Sequence, residues 1–269
     1  MISVSPAILI YSAFVCAILG GISASFVCCY SYRYLNGQSV LKGRSHCASC
    51  GHTLGALDLI PILSYVFLHG KCRYCGADIG KTAILAEDGM AAVFVLLLLR
   101  YDISPELLRA MLFVSVLLAV ALIDLESFTI PDRLLGAAAA VWAVFMPFAG
   151  EGPLRYVCGG LLGGFAIAGA MLAMSLIADR ILKKESMGGG DIKLFFVTGL
   201  YFGLMQNFFN LILSCVIGII MALSGMGKKE NGEGSEPMGA VPFGPAIAVS
   251  AVITMLAGQR ICGWYLGLF

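Results

Sequence analysis

The chain has 269 residues, of which 59% are hydrophobic and only 12% are charged, and its net charge is +1. Soluble domains carry about 25% charged residues, so this composition excludes an ordinary soluble globular protein, and the near-neutral charge gives no general basic surface for nucleic acid. Because the apolar residues fall in long runs without the alternating pattern of a barrel strand, the sequence predicts an all-α polytopic membrane protein.

Eight apolar runs are candidates for transmembrane helices, each of which needs about 20 residues. They cover residues 7–30, 84–101, 105–124, 131–149, 154–182, 192–206, 207–226 and 240–258. No basic residue precedes the first run, so the sequence favours an uncleaved membrane helix over a signal peptide there. The sixth and seventh runs are predicted to meet in a tight turn at Gln206 and Asn207.

Basic residues are unevenly distributed among the connections between these helices. Of the 17 in the chain, four fall on one side of the predicted membrane and the other thirteen on the opposite side. Since positively charged loops stay in the cytoplasm, both termini are predicted to be outside. The predicted domains are then a first transmembrane helix (1–30), a cytoplasmic insert (31–83) and a seven-helix core (84–269) with a flexible cytoplasmic loop at 225–240.

The insert contains a pattern that is typical of a metal site. Four of the ten cysteines form two C-x2-C pairs there: Cys47, Cys50, Cys72 and Cys75. Two such pairs at this separation indicate a four-cysteine zinc site, because each pair directs two thiolates toward one tetrahedral ion. Gly51 and Gly76 follow the pairs directly, where a tight turn favours glycine. Four thiolates leave no open position for substrate, so the predicted zinc is structural; a redox or disulfide role is the alternative.

Two carboxylates are predicted to lie at matching depth near the cytoplasmic ends of different helices. Asp124 ends the apolar run of the third helix, and Asp191 follows Gly188, Gly189 and Gly190 at the start of the sixth. An acid at membrane depth costs about 2.5–3.5 kcal/mol and is a functional candidate for that reason. Helix capping would explain one aspartate but not three preceding glycines.

The two acids support two different function classes when only the residues are considered. Carboxylates a few ångströms apart share one proton, so one can act as a general base on water while the other protonates the leaving group. This chemistry predicts an intramembrane aspartyl protease. The alternative is a proton- or cation-coupled transporter with a structural zinc insert, because intramembrane acids also carry ions.

Five segments that follow one another along nearly the whole chain carry a family resemblance. They read GGISASFVCCYSYRYLNGQSVLKGRSHCASC, LDLIPILSYVFLHGKCRYCGADI, IDLESFTIPD, MGGGDIKL and VPFGPAIAVSA. Together they resemble the type IV prepilin peptidases, also called leader peptidase/N-methyltransferases, which belong to the GxGD aspartyl proteases. The resemblance implies that Asp124, in IDLESFTIPD, and Asp191, in GGGD, are the catalytic pair, with Asp132 later in the same segment not catalytic.

The resemblance also implies a substrate, cofactors and a location. Substrates would be prepilins or pseudopilins, cut after a short basic leader that precedes a hydrophobic helix, at the cytoplasmic face of a bacterial inner membrane. Many members then methylate the new N-terminus with S-adenosylmethionine, and the four cysteines favour this bifunctional form. The partners would be type IV pilus, type II secretion or DNA-uptake machinery.

Five further residues are candidates for supporting roles. Pro242, Gly244 and Pro245 form the family's PFGP feature, which would interrupt the start of the eighth helix and expose backbone to a peptide; a plain helix start is the alternative. Glu87 lies where relatives also carry an acid, and would contact the leader or the methyl-transfer site, or cap its helix. Lys193 would offset the charge of the aspartates or reach lipid phosphate.

Overall fold

In the computed structural model the described residues are 6–40, 43–148, 150, 152–183, 187–224 and 242–267. Their secondary structure is helical throughout, and their only β pairing is two isolated bridges, in agreement with the predicted all-α class. They form two compact units that divide between Leu107 and Leu108. The predicted flexible loop 225–240 lies outside the described residues.

Nine α-helices make up this fold. They are α1 (Pro6–Leu35), α2 (Leu63–Phe67), α3 (Lys81–Tyr101), α4 (Pro105–Ser127), α5 (Asp132–Val144), α6 (Pro153–Leu182), α7 (Gly189–Leu223), α8 (Gly244–Ile253) and α9 (Gln259–Leu266), all counted within the described ranges. A π-helical turn, Thr254–Gly258, joins the last two.

Six stretches among the described residues are long and apolar enough to cross a bilayer: α1, α3, α4, α6, α7 and the run Gly244–Tyr265. The chain is therefore a multi-pass membrane protein. The short helix α5 and the division of α7 into two arms bring the membrane segments to eight, so the prediction of about eight helices is confirmed.

Helix α7 is a hairpin rather than a straight rod. Gly203, with φ 69° and ψ −175°, interrupts its helical backbone. Asn207 Nδ2 donates a hydrogen bond of 3.0 Å to the carbonyl of Phe195, although 12 residues of straight helix would place them about 18 Å apart. The first arm (189–202) and the second arm (204–223) therefore lie against each other. The turn comes three residues before the predicted one, at the residue type that accepts a positive φ.

Glycines let α6 approach the α7 hairpin closely. A Cβ atom added at Gly199 would lie 2.5 Å from the backbone of Gly164, and one added at Gly160 would lie 2.7 Å from the carbonyl oxygen of Leu200. Such contacts are a recurrent way to pack membrane helices, because apolar burial does not drive helices together in lipid. Gly160 meets Leu200 while Gly164 meets Phe196, so α6 is antiparallel to the first arm.

A buried polar network joins the hairpin to α8. Thr198 Oγ1 donates to Asn207 Oδ1 at 2.9 Å, and Ser250 Oγ on α8 donates to Asn210 Oδ1 at 2.7 Å. Asn210 Nδ2 in turn lies 3.5 Å from Thr198 Oγ1. All four side chains are fully buried. Thr198 and Ser250 also donate to carbonyls of their own helices, but Asn207 and Asn210 find these side-chain partners only when the elements are assembled, because lipid offers no hydrogen-bond partners.

Candidate active site and metal centre

Asp124 and Asp191 line one cavity of about 300 Å³. Asp124 lies in the last turn of α4 and is only 4% exposed, whereas Asp191 is the third residue of α7 and is half-buried. Both side chains line this one cavity, although their helices are far apart in the sequence. The remaining lining residues are Phe128, Thr129, Ile130, Asp132, Gly188, Gly189, Gly190 and Lys193.

The first residue of α8 holds the Asp124 carboxylate. The amide of Gly244 donates a hydrogen bond of 2.8 Å to Asp124 Oδ2, and a helix N-terminus favours a negative charge. A Cβ atom added at Gly244 would lie 2.7 Å from that same oxygen, so only glycine allows this approach. Pro242 and Pro245 are both buried, and Pro245 occupies the first turn of α8, where a missing N–H costs nothing.

Two of the three glycines before Asp191 have a structural reason, and the two reasons differ. Gly188 is the N-cap of α7, and a Cβ atom added to it would lie 3.2 Å from Asp191 Oδ2. A Cβ atom added at Gly190 would lie 3.0 Å from the Ile130 side chain, whereas one at Gly189 would meet nothing within 4 Å. Asp191 follows the N-cap by three residues and lies in the first turn of α7.

Lys193 pairs with Asp132 at the edge of the cavity. Its Nζ donates to both carboxylate oxygens of Asp132, at 2.8 and 3.0 Å, and both side chains are largely exposed. The pair ties the first turn of α5 to the first turn of α7. Neither predicted role of Lys193 includes this partner, which the sequence places 61 residues away.

In the insert, the four predicted cysteines come together. The Sγ atoms of Cys47, Cys50, Cys72 and Cys75 all lie within 4.8 Å of one another, and those of Cys47 and Cys75 are 3.9 Å apart. Four thiolates at the Zn–S distance of about 2.3 Å would be about 3.8 Å apart in a tetrahedron. The cluster thus has the ligand set and spacing for one tetrahedral metal ion.

Two turns of matching geometry build this cluster. Each consists of a C-x2-C pair and the glycine after it, and we call these turns, residues 47–51 and 72–76, the two knuckles. Gly51 and Gly76 both have φ +70°, and their amides donate to the carbonyls of Cys47 and Cys72, each at 2.9 Å. The bridges His46–Thr53 and Lys71–Asp78 also correspond at an offset of 25 residues. The sequence carries the same internal repeat, as CASCGHTLG and CRYCGADIG, which had not been predicted from it.

The thiols of the cluster differ in proton affinity. Amides of Cys50 and Ser49 donate to the Cys47 thiolate and lower the pKa of Cys47 to about 6. At Cys75 the amide of Ala77 acts in the same direction, but desolvation and the neighbouring thiols outweigh it and raise the pKa to about 11. Metal binding would therefore release protons from the cluster.

Asp58, in the 3₁₀ turn Ala56–Leu59, links this turn to the second knuckle through hydrogen bonds. It accepts hydrogen bonds from the Gly55 amide at 3.0 Å, from Arg73 Nε at 2.7 Å and from the Tyr74 hydroxyl at 3.2 Å. The Gly55 amide is the main cause of a lowered pKa at Asp58, with the Arg73 side chain contributing in the same direction. The His52 ring packs against the Tyr74 ring, with the centroids 3.7 Å apart and the ring planes tilted by 33°, which gives this histidine a packing role.

Glu87 contacts the insert rather than its own helix terminus. It is buried in α3, beyond the first turn, and accepts a hydrogen bond of 2.8 Å from the Ile62 amide. Ile62 has φ 64° and ψ −53°, and the Leu63 amide donates to the Pro61 carbonyl at 2.6 Å. This is a strained γ-turn, unusual for a β-branched residue. The capping alternative for Glu87 is therefore wrong, and its acid stabilises the turn.

Comparisons with known proteins agree with the two halves of this description. Residues 18–101 match the family model described as "Bacterial Peptidase A24 N-terminal domain", and residues 111–223 match "Type IV leader peptidase family". A Bacillus subtilis (strain 168) protein named "Prepilin leader peptidase/N-methyltransferase" is 34% identical over 257 residues, which cover 93% of this chain and 96% of the relative. An Aeromonas hydrophila protein of the same name is 34% identical over 86% of this chain and 77% of its own length. No solved structure matches the chain significantly.

Proposed function

This chain belongs to the type IV leader peptidase family, and we propose that it is an intramembrane aspartyl endopeptidase that removes the leader of prepilins or pseudopilins and then methylates the new N-terminus. The observation that carries the protease is the shared cavity of Asp124 and Asp191. Two acids on different helices that line one polar cavity at the helix ends provide what acid–base hydrolysis of a peptide requires.

The contacts of each aspartate support a division of roles. The Gly244 amide donates to one oxygen of Asp124, so Asp124 serves as the acceptor partner and general base, and Asp191 carries the shared proton. Asp124 removes a proton from a water molecule, whose oxygen adds to the scissile carbonyl carbon while Asp191 protonates the carbonyl oxygen. The C–N bond then breaks as the carbonyl re-forms: one hydroxyl of the tetrahedral intermediate returns its proton to Asp191, and the proton held by Asp124 passes to the leaving amine.

The proposed function includes two cofactors, of which only the metal ion has binding residues that can be named. The residues that would hold zinc are Cys47, Cys50, Cys72 and Cys75, and the ion would supply a cross-link between the knuckles rather than chemistry. S-adenosylmethionine would supply the methyl group, which the names of the relatives support. No residue of this chain is assigned to the methyl donor.

The predicted membrane topology agrees with this substrate class. The excess of basic residues predicts that the aspartates, the insert (31–83) and the loop 225–240 face the cytoplasm. The first helix (1–30) and the core (84–269) remain predicted as separate domains. A basic leader stays on that side of an inner membrane. The pilus, secretion or DNA-uptake machinery would then receive the processed protein.

Single-atom replacements of the aspartates test the proposal. Asp124→Asn and Asp191→Asn should each reduce cleavage of a synthetic prepilin by about 1,000-fold or more, with the metal content and the thermal unfolding midpoint unchanged. Mass spectrometry of both product ends measures cleavage and methylation together. Wild-type cleavage in either variant would refute the aspartyl mechanism, and ion uptake into vesicles with intact prepilin would favour the transporter.

A further inference from the structure

A second, apolar groove begins beside the aspartate cavity. It has a volume of about 500 Å³ and lies between α5, α6 and the first arm of α7. Its lining residues are Asp132, Leu135, Gly136, Ala139, Phe165, Ala168, Gly169, Leu172, Ile192, Lys193, Phe196 and Val197. Only Asp132 and Lys193 are charged, and both also line the aspartate cavity. The groove and the cavity therefore share one edge.

The direction of the groove follows from the contacts of its helices. Asp132 meets Lys193, and the Tyr201 hydroxyl donates to the Ala138 carbonyl, so α5 runs parallel to the first arm of α7. Because α6 is antiparallel to that arm, Leu172 lies toward the ion pair and Phe165 lies deeper. From Asp132 to Ala139 the groove descends about 10 Å away from the aspartates.

Two glycines on the groove have no packing reason among the residues that the structure describes. A Cβ atom added at Gly136 or Gly169 would meet nothing within 4 Å. Glycine inside a helix costs about 1 kcal/mol relative to alanine, and elsewhere on α6 each buried glycine prevents a clash, as Gly164 does. Small residues in a membrane helix allow a second helix backbone to approach closely.

We propose that this groove, with Gly136 and Gly169 as its contact points, seats the hydrophobic helix of the substrate. The inference rests on the proposed function, in which the scissile bond directly precedes such a helix. A helix lying along the groove has its N-terminal end at the Asp132–Lys193 pair, beside Asp124 and Asp191. The groove adjoins the aspartate cavity, and this arrangement suits a substrate helix whose N-terminal end must reach the aspartates. A bound lipid chain would not require that connection, so the shared edge favours the substrate helix.

The first test fills the groove without disturbing the fold. Gly136→Leu and Gly169→Leu should each lower kcat/KM for full-length prepilin by about tenfold or more, while cleavage of a water-soluble leader peptide that lacks the hydrophobic helix stays at the wild-type rate. Gly159→Leu is the matched control, because Gly159 lies on α6 outside the groove and an added Cβ there also meets nothing within 4 Å. Equal cleavage of full-length prepilin by all three variants would overturn the proposal, as would equal losses on both substrates.

The second test detects occupancy without turnover. A photoreactive residue at Leu172, which is 48% exposed in the groove, should cross-link to the substrate helix in an Asp191→Asn background. The control is Met174, two residues along α6 on another face and 65% exposed, which should capture lipid only. Capture of lipid alone at Leu172 would overturn the groove. Cross-linking at Leu172 with no cleavage by the wild-type protein would instead retain the groove and refute the protease.

Discussion

The metal centre and the aspartate site of this protein are assembled in contrasting ways. Each knuckle of the insert is formed by hydrogen bonds between residues at most nine apart, and the four cysteines lie where the two knuckles meet. The aspartate site depends on the meeting of Asp124 and Gly244, which are 120 residues apart, and on close glycine contacts. A short-range scaffold that a bound ion would hold together and a long-range scaffold held together by packing should therefore fail under different perturbations.

Loss of one metal ligand should separate the two sites most clearly. Structural zinc contributes on the order of 10 kcal/mol to folding in small domains, so Cys72→Ser should release the ion and unfold residues 44–80. We expect methylation to suffer more than cleavage, because the aspartate site does not depend on the ion. Elemental analysis and hydrogen exchange measure the first effect, and the two-product mass assay measures the second.

A free cysteine outside the cluster provides the control for that experiment. Cys158→Ser changes an exposed thiol on α6 and should alter neither metal content nor exchange. Retention of the ion by Cys72→Ser would show that the insert is not organised as described, and wild-type methylation by the metal-free protein would count against a role of the insert in that step.

A single added methyl group at Gly244 should damage the aspartate site alone. Gly244→Ala places a carbon 2.7 Å from Asp124 Oδ2, so either the carboxylate or the start of α8 must move. A displacement of about 1 Å in a catalytic group can cost about 100-fold in rate. We expect that loss in kcat/KM with the metal content unchanged, and no loss in Gly159→Ala. Full activity of Gly244→Ala would contradict the proposed role of the Gly244 amide.

The smallest effect is expected within the insert, at Asp58. Its pKa is lowered in the folded state, so its stabilising contribution is fully present above its ordinary pKa of about 3.9 and is lost as the pH falls through the lowered value. Asp58→Asn should therefore speed metal release to a chelator modestly and by the same factor from about pH 8 to about pH 5. A factor that changed within this window would show that Asp58 acts through another titrating group.

The same contrast explains what the sequence could predict. The cysteine pairs and their glycines form a short-range pattern, so the metal ligands of the insert could be predicted from the sequence. The apolar runs mark membrane helices directly, so the fold class could be predicted as well. Asp124 and Asp191 stood out because acids are costly among apolar residues. The hydrogen bond from the Gly244 amide to Asp124 could not be predicted, because the residues around Gly244 do not indicate which of several carboxylates its amide will contact.

Other features were missed although the sequence carried a signal for them. Asn207 and Asn210 interrupt an apolar run, and polar residues in such runs usually bond between helices. Their partners Thr198 and Ser250 could still not be named, because the reversal at Gly203 decides which side chains meet. One glycine in a glycine-rich sequence does not reveal by itself that it takes a positive φ.

The reversal at Gly203 also constrains how this protein is made. The first arm of α7 extends over only about 21 Å, and Asn207 of the second arm finds hydrogen-bond partners in Thr198 and in the Phe195 carbonyl of the first arm. The second arm alone leaves these groups of Asn207 without those partners in lipid. The pair therefore has to leave the translocon as one preformed unit, so the ribosome must have completed both arms before the residue that the resemblance identifies as catalytic, Asp191, can reach its final depth.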